Sequence, residues 1–97
     1  MDEVVYYNDL YDLYGPLLTL KQKSYFEDYY FHNLSYAEIA GNHKVSRNAC
    51  FRQIHMVTMK LEEYEEKLRL LEKKKRLNEL SGKIQDKRIQ EEVSTIL

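Results

Sequence analysis

Leu34-Ser35-Tyr36-Ala37-Glu38-Ile39-Ala40, a short polar gap, and then Val45-Ser46-Arg47-Asn48-Ala49-Cys50 running on to Ile54 spell two helices that meet at a tight turn. Ser35 and Glu38 stand as Ser-x-x-Glu, the capping box that satisfies two orphan amides at a helix start. Ile39 and Ala40 fall on one side of the first helix, and Ala40 is small enough to let a second helix cross closely. Val45, Cys50 and Ile54 complete a small core between the two, and Ser46 is the N-cap of the second. The outline is a helix-turn-helix, whose second helix projects its N-terminal outer face and commonly enters the DNA major groove. With Cys50 and Ile54 inside, that face carries Ser46, Arg47, Asn48, Phe51, Arg52 and His55. Arg47 and Arg52 suit phosphate or guanine, and Asn48 suits an adenine edge. Phe51 has two readings: part of a contact surface, or a ring packed onto the N-terminal helix of Val4 to Tyr14.

Outward from the motif, helices continue on both sides. Val4 to Tyr14 carries apolar or aromatic residues at 6, 7, 10, 11, 13 and 14, and Gly15-Pro16 stops it, with glycine free to take a left-handed cap. Thr19 and Gln22 form a second capping box, followed by the aromatic stripe Tyr25, Phe26, Tyr29 and Tyr30. Asn33-Leu34-Ser35 is the next break. Beyond Ser46, the residues Cys50, Ile54, Val57, Leu61, Tyr64, Leu68 and Leu71 step by four, three, four, three, four and three. This heptad seam predicts one helix from 47 to about 80, roughly 50 Å long at 1.5 Å per residue. A small domain cannot bury such a helix by itself, so Leu61, Tyr64, Leu68 and Leu71 are expected to be buried between two chains of a homodimer. The seam loses its register at Lys73-Lys74-Lys75-Arg76, and Ile84, Ile89, Val93, Ile96 and Leu97 predict a C-terminal helical tail.

The 97 residues make one small unit, divided as a helix-turn-helix domain over 1–60 and a helical extension over 61–97. The fold class is all-α. Net charge is −1, with seven acids and three bases in residues 1–46 against nine acids and twelve bases in 47–97. The sign changes where the recognition helix begins, which predicts a local, salt-sensitive phosphate contact of modest affinity. The single cysteine excludes an intramolecular disulfide. His32, His43 and His55 are dispersed, so no metal or other cofactor is expected. No apolar stretch spans a bilayer and the N-terminus lacks the plan of a signal peptide, so a cytoplasmic location and no membrane partner are expected.

Further residues carry a family resemblance. Asp9-Leu10-Tyr11-Asp12-Leu13-Tyr14, Leu17-Leu18-Thr19, Gln22, Ser24-Tyr25, Tyr29-Tyr30 and Leu61-Glu62-Glu63-Tyr64-Glu65 resemble the bacterial YlxM family, over roughly residues 5–75. The motif itself is similar to the promoter-reading C-terminal domain of sigma factors. The resemblance implies a sigma-region-4-like helix-turn-helix protein associated with the signal recognition particle, whose partners would be DNA, the particle's RNA or its GTPase. Against the family pattern, the turn position often filled by glycine or asparagine is Lys44. A positive φ there would cost lysine about 1 kcal/mol relative to glycine.

There is no glycine-rich phosphate loop and no nucleophile–base pair, so no enzyme is expected. Lys73, Lys74, Lys75 and Arg76 offer a secondary phosphate or RNA contact, but Glu72 and Glu79 dilute the run, and the exposed side of a long helix is the plainer reading. The expectation is a non-catalytic regulator that binds nucleic acid through residues 46–55. Its alternatives are an accessory module of the signal recognition particle that does not bind duplex DNA, and an interaction module with no nucleic-acid partner.

Overall fold

The computed structural model describes residues 3–82, and among them every secondary-structure element is a helix. The elements are α1 (Glu3–Tyr14), a 3₁₀ turn (Gly15–Leu17), α2 (Leu20–Tyr30), α3 (Tyr36–His43), α4 (Arg47–Leu68) and α5 (Leu70–Gly82). The C-terminal helical tail expected after Gly82 lies outside the described residues.

Each start has a local cause. Thr19 and Ser35 both form complete capping boxes, with Gln22 and Glu38 as the reciprocal partners. Ser46 Oγ accepts from the Ala49 amide at 3.1 Å. Pro16 ends α1, as expected, but Gly15 is not left-handed. Its value is the close approach of the Tyr11 ring, which a Cβ would meet at 3.4 Å.

Two cores result. One holds Tyr25, Ile39, Ala40, Cys50 and Ile54 under α3, with Val45 packed against it. The other gathers Leu10, Tyr14, Leu18, Phe26, Val57, Leu61 and Leu71 where α1, α2, α4 and α5 meet. Tyr11 stacks on Phe26 at 4.3 Å between the first two helices. Burial of these large side chains is the main favourable term in folding.

The expected single helix from 47 to 80 is corrected. α4 stops at Leu68, Arg69 turns left-handed at φ 53, and α5 reverses to pack on α1. Arg69 serves both helices: its amide donates to Glu65 O at 2.8 Å, and its carbonyl accepts from Lys73 N at 3.0 Å. The new helix start is capped from a distance. Glu65 Oε1 accepts from the Leu71 amide (3.0 Å), and Oε2 accepts from the Glu72 amide (3.3 Å). Tyr14 Oη accepts from the Leu70 amide (3.0 Å) while donating to Glu65 Oε1 (2.6 Å). Three orphan amides are thereby satisfied without a Ser, Thr, Asp or Asn at the cap.

The reversal also changes what the seam does. Leu61 and Leu71 are buried within the one chain and Tyr64 packs against the same core, leaving only Leu68 exposed. The four positions therefore form no open stripe for a second chain. A neighbouring hydrogen bond, Tyr7 Oη to Glu62 Oε1 at 2.6 Å, fastens the other end of α1 to α4. The Leu-Glu-Glu-Tyr-Glu run thus supplies a core residue, two anchors for α1 and a ring against Tyr14.

Two outcomes follow for stability. Burial, then the Glu65 hydrogen bond, pushes the Tyr14 phenol up to about 12. A phenol raised by folding supports the folded state fully below pH about 10 and withdraws that support as pH climbs towards 12. Tyr14→Phe should therefore lower stability at neutral pH by about 1–3 kcal/mol, through the stranded Leu70 amide and Glu65 carboxylate. It should also flatten the alkaline limb of a denaturation–pH profile, and an unchanged limb would count against this role. Separately, Lys44 (φ 56) and Arg69 (φ 53) are left-handed non-glycine residues. Lys44→Gly and Arg69→Gly should each raise the unfolding free energy by about 1 kcal/mol, and Asn33→Gly (φ 56) by less, because asparagine tolerates this region.

Candidate nucleic-acid interface

The interface is built from the turn outwards. At the end of α3 the Val45 amide donates to Ala40 O (3.0 Å) and the Lys44 amide to Gly41 O (3.3 Å), a Schellman ending with Lys44 left-handed. Val45 packs into the core beside Ile39 and Ala40, which fixes the angle at which the chain enters α4. Ser46 then caps that helix, and four residues on Cys50 locks it inward. Burial raises the Cys50 thiol above its ordinary pKa, which suits a packing residue.

α3 is tied to α2 by His43. Its ring stacks on Tyr25 at 4.0 Å, and its Nε2 lies 3.3 Å from Asp28 Oδ2 and 3.4 Å from Ser24 Oγ. His32 Nδ1 approaches the other Asp28 oxygen at 3.3 Å. Two of the histidines that look dispersed in sequence thus share one carboxylate. Among the described residues no group of three or more His, Cys, Asp or Glu could hold a metal ion.

Ser46, Arg47, Asn48, Phe51, Arg52 and His55 are all exposed. Phe51 is 51% exposed, and its neighbour is Tyr36 on α3, which it meets edge-on at 5.6 Å and 83°. The His55 ring lies nearly parallel to it, 6.1 Å away. Tyr36 donates to the Tyr29 hydroxyl at 3.3 Å and stacks on that ring at 5.0 Å. Across a groove of about 280 Å³ these rings face Val4 and Tyr7 of α1, an open space with Phe51 on one side. Tyr36 and Tyr29 were not among the sequence candidates. The signal for Tyr36 was its place directly after the Ser35 cap, since the first residue of α3 overhangs the start of α4.

Charge divides α4 lengthwise. Arg47 and Arg52 occupy the N-terminal part, whereas Glu62, Glu63 and Glu66 are exposed near the C-terminal end. Lys67 pairs with Glu63 at 2.8 Å, and this lowers the Glu63 carboxyl below its ordinary pKa. The electrostatic potential is accordingly more positive at the N-terminal end of the helix and more negative toward its C-terminal end. The second basic stretch sits on α5, where Lys74 and Lys75 share a cleft of about 200 Å³ with Asp9 and Asp12 of α1. Lys73 and Arg76 are exposed beside it.

None of the helices among the described residues is long and apolar enough to cross a membrane. A family model described as "Putative helix-turn-helix protein, YlxM / p13 like" matches residues 1–96. A UPF0122 protein of Shouchella clausii is 48% identical over 73 residues, which is 75% of this chain and 67% of that protein. The UPF0122 protein YlxM of Bacillus subtilis is 44% identical over 79 residues, 81% of this chain and 72% of the relative. A Geobacillus relative is 40% identical over 86 residues, 89% and 78% of the two chains. The description is that of a helix-turn-helix family and not of an enzyme family. The chain belongs to the UPF0122 family of YlxM/p13-like helix-turn-helix proteins.

Proposed function

We propose that this protein is a non-catalytic regulatory factor that binds nucleic acid through the first two turns of α4, with Ser46, Arg47, Asn48, Phe51, Arg52 and His55 as the contact set. The observation that carries the reading is the pairing of a rigidly capped helix start with an unpartnered basic face. Ser46 and the left-handed Lys44 hold the helix, while neither Arg47 nor Arg52 has an ion-pair partner among the described residues. A recognition helix presented this way is the part of such motifs that meets base edges. The acids from Glu62 onward confine the footprint to the N-terminal end, so few phosphates are neutralised and the salt-sensitive contact is of modest affinity.

A second reading rests on the rings. Phe51, His55 and Tyr36 crowd the rim of the same face, and exposed aromatic rings stack on unpaired bases more readily than on a closed duplex. Structured RNA, including that of the signal recognition particle as the family resemblance implies, is the partner this favours. Under it the protein would act as an accessory of that particle, at its RNA or its GTPase, through residues 46–55 or the stretch Lys73–Arg76.

Titration of duplex DNA and of the particle RNA, each at several salt concentrations, separates the two. Arg47→Ala and Arg52→Ala should each weaken binding about tenfold and reduce the salt slope by about one. Phe51→Ala should weaken RNA alone if stacking carries affinity. If neither nucleic acid is bound above the level of an unrelated acidic protein, the nucleic-acid reading fails.

A further inference from the structure

The core-facing side of α4 has a counterpart on its opposite side. Arg52, Met56, Met59, Glu63 and Glu66 recur at intervals of four, three, four and three. At 3.6 residues per turn this sets them on one line facing away from Cys50, Val57 and Leu61. All five are exposed, with Met56 57% and Met59 55% accessible. A single exposed apolar side chain is ordinary, but two thioethers in register form a small continuous patch. A shallow trough of about 600 Å³ runs beside them, rimmed by Lys60, Glu62, Glu63 and Glu66.

The line is also polar from end to end. Arg52 is at its N-terminal end and Glu66 at its C-terminal end, each seven residues from Met59. Neither forms an ion pair among the described residues. We propose that this stripe is a contact face between two copies of the chain, packed antiparallel with the two-fold axis at Met59. In that arrangement Met59 meets its own equivalent and Arg52 lies opposite the partner's Glu66, twice over. Met56 lies along the methylene stems of the partner's Glu63. A parallel pairing would set Arg52 on Arg52 and Glu66 on Glu66, so the charge order selects the antiparallel one. The contact is small and half charged, which makes the dimer weak and reversible.

One consequence rests on the nucleic-acid reading above. Arg52 belongs to both faces and His55 adjoins them, so the dimer covers part of the nucleic-acid surface and the two states compete.

Sedimentation equilibrium on the full chain, from about 1 to 300 µM, should show monomer passing to dimer. Met59→Glu, Arg52→Glu and Glu66→Arg should each weaken association about tenfold. Mixing Arg52→Glu with Glu66→Arg should restore it as a heterodimer, because both cross-pairs become opposite in sign. Oxidation should link Met59→Cys chains through a disulfide and leave Leu20→Cys chains single, although Leu20 is 84% exposed on α2. Circular dichroism establishes that each variant is folded. A monomer across the whole range, or a dimer indifferent to these substitutions, overturns the proposal. Met59→Glu should also bind nucleic acid more tightly than the unaltered chain at concentrations where the latter is dimeric. If no form binds nucleic acid but the charge swap behaves as stated, the dimer stands and the nucleic-acid reading falls.

Discussion

The carboxylate of Glu65 holds the far end of the molecule together. It receives the Tyr14 phenol at 2.6 Å and two amides at the start of α5, while Tyr14 takes a third. Through these bonds the C-terminus of α1, the end of α4 and the beginning of α5 become one joint. A helix reversal made at a single left-handed arginine would otherwise leave unsatisfied amides next to a core that contains Leu71. The reversal in turn gives α1 a second helix to lie against, and the anchored α1 supplies one wall of the groove beside Phe51 and His55.

The candidate interface depends on that framework at one remove. α4 belongs to both cores: Cys50 and Ile54 lock its N-terminal part under α3, and Val57 and Leu61 lock its middle against α1 and α2. Its first turns are consequently presented by a rod supported along its length, which is the condition for a fixed array of side chains. The charge gradient along the outward face adds a second consequence. Under the two proposals made above, the basic end that would meet a phosphate would also meet the acidic end of another copy, so both would compete for one helix face.

Much of this was legible because it is local. Two capping boxes, the Ser46 cap and the left-handed Lys44 involve partners within six residues of one another, and their spacing can be read directly. The outward position of Arg47, Asn48, Phe51, Arg52 and His55 followed from placing Cys50 and Ile54 inside. The end of α4 was not legible. Arg69 is neither glycine nor asparagine, and Leu71 keeps the heptad spacing across the break because α5 returns it to the same core. An unbroken helix and a reversed one therefore share a single apolar pattern. The Tyr36 partner of Phe51 and the Asp28 carboxylate between two histidines were equally hidden, because each is made across elements.

What the sequence determined alone is the helix-turn-helix, its caps and the residues on its outer face, since short-range hydrogen bonding and helical periodicity set them. The path after Leu68 was decided only in three dimensions. It turns on contacts such as that of Tyr14 with Glu65, 51 residues apart, whose geometry exists only after α1 and α4 have packed. That packing also assigned the first apolar stripe of α4 to the inside of one chain and left the second, Arg52 to Glu66, facing water.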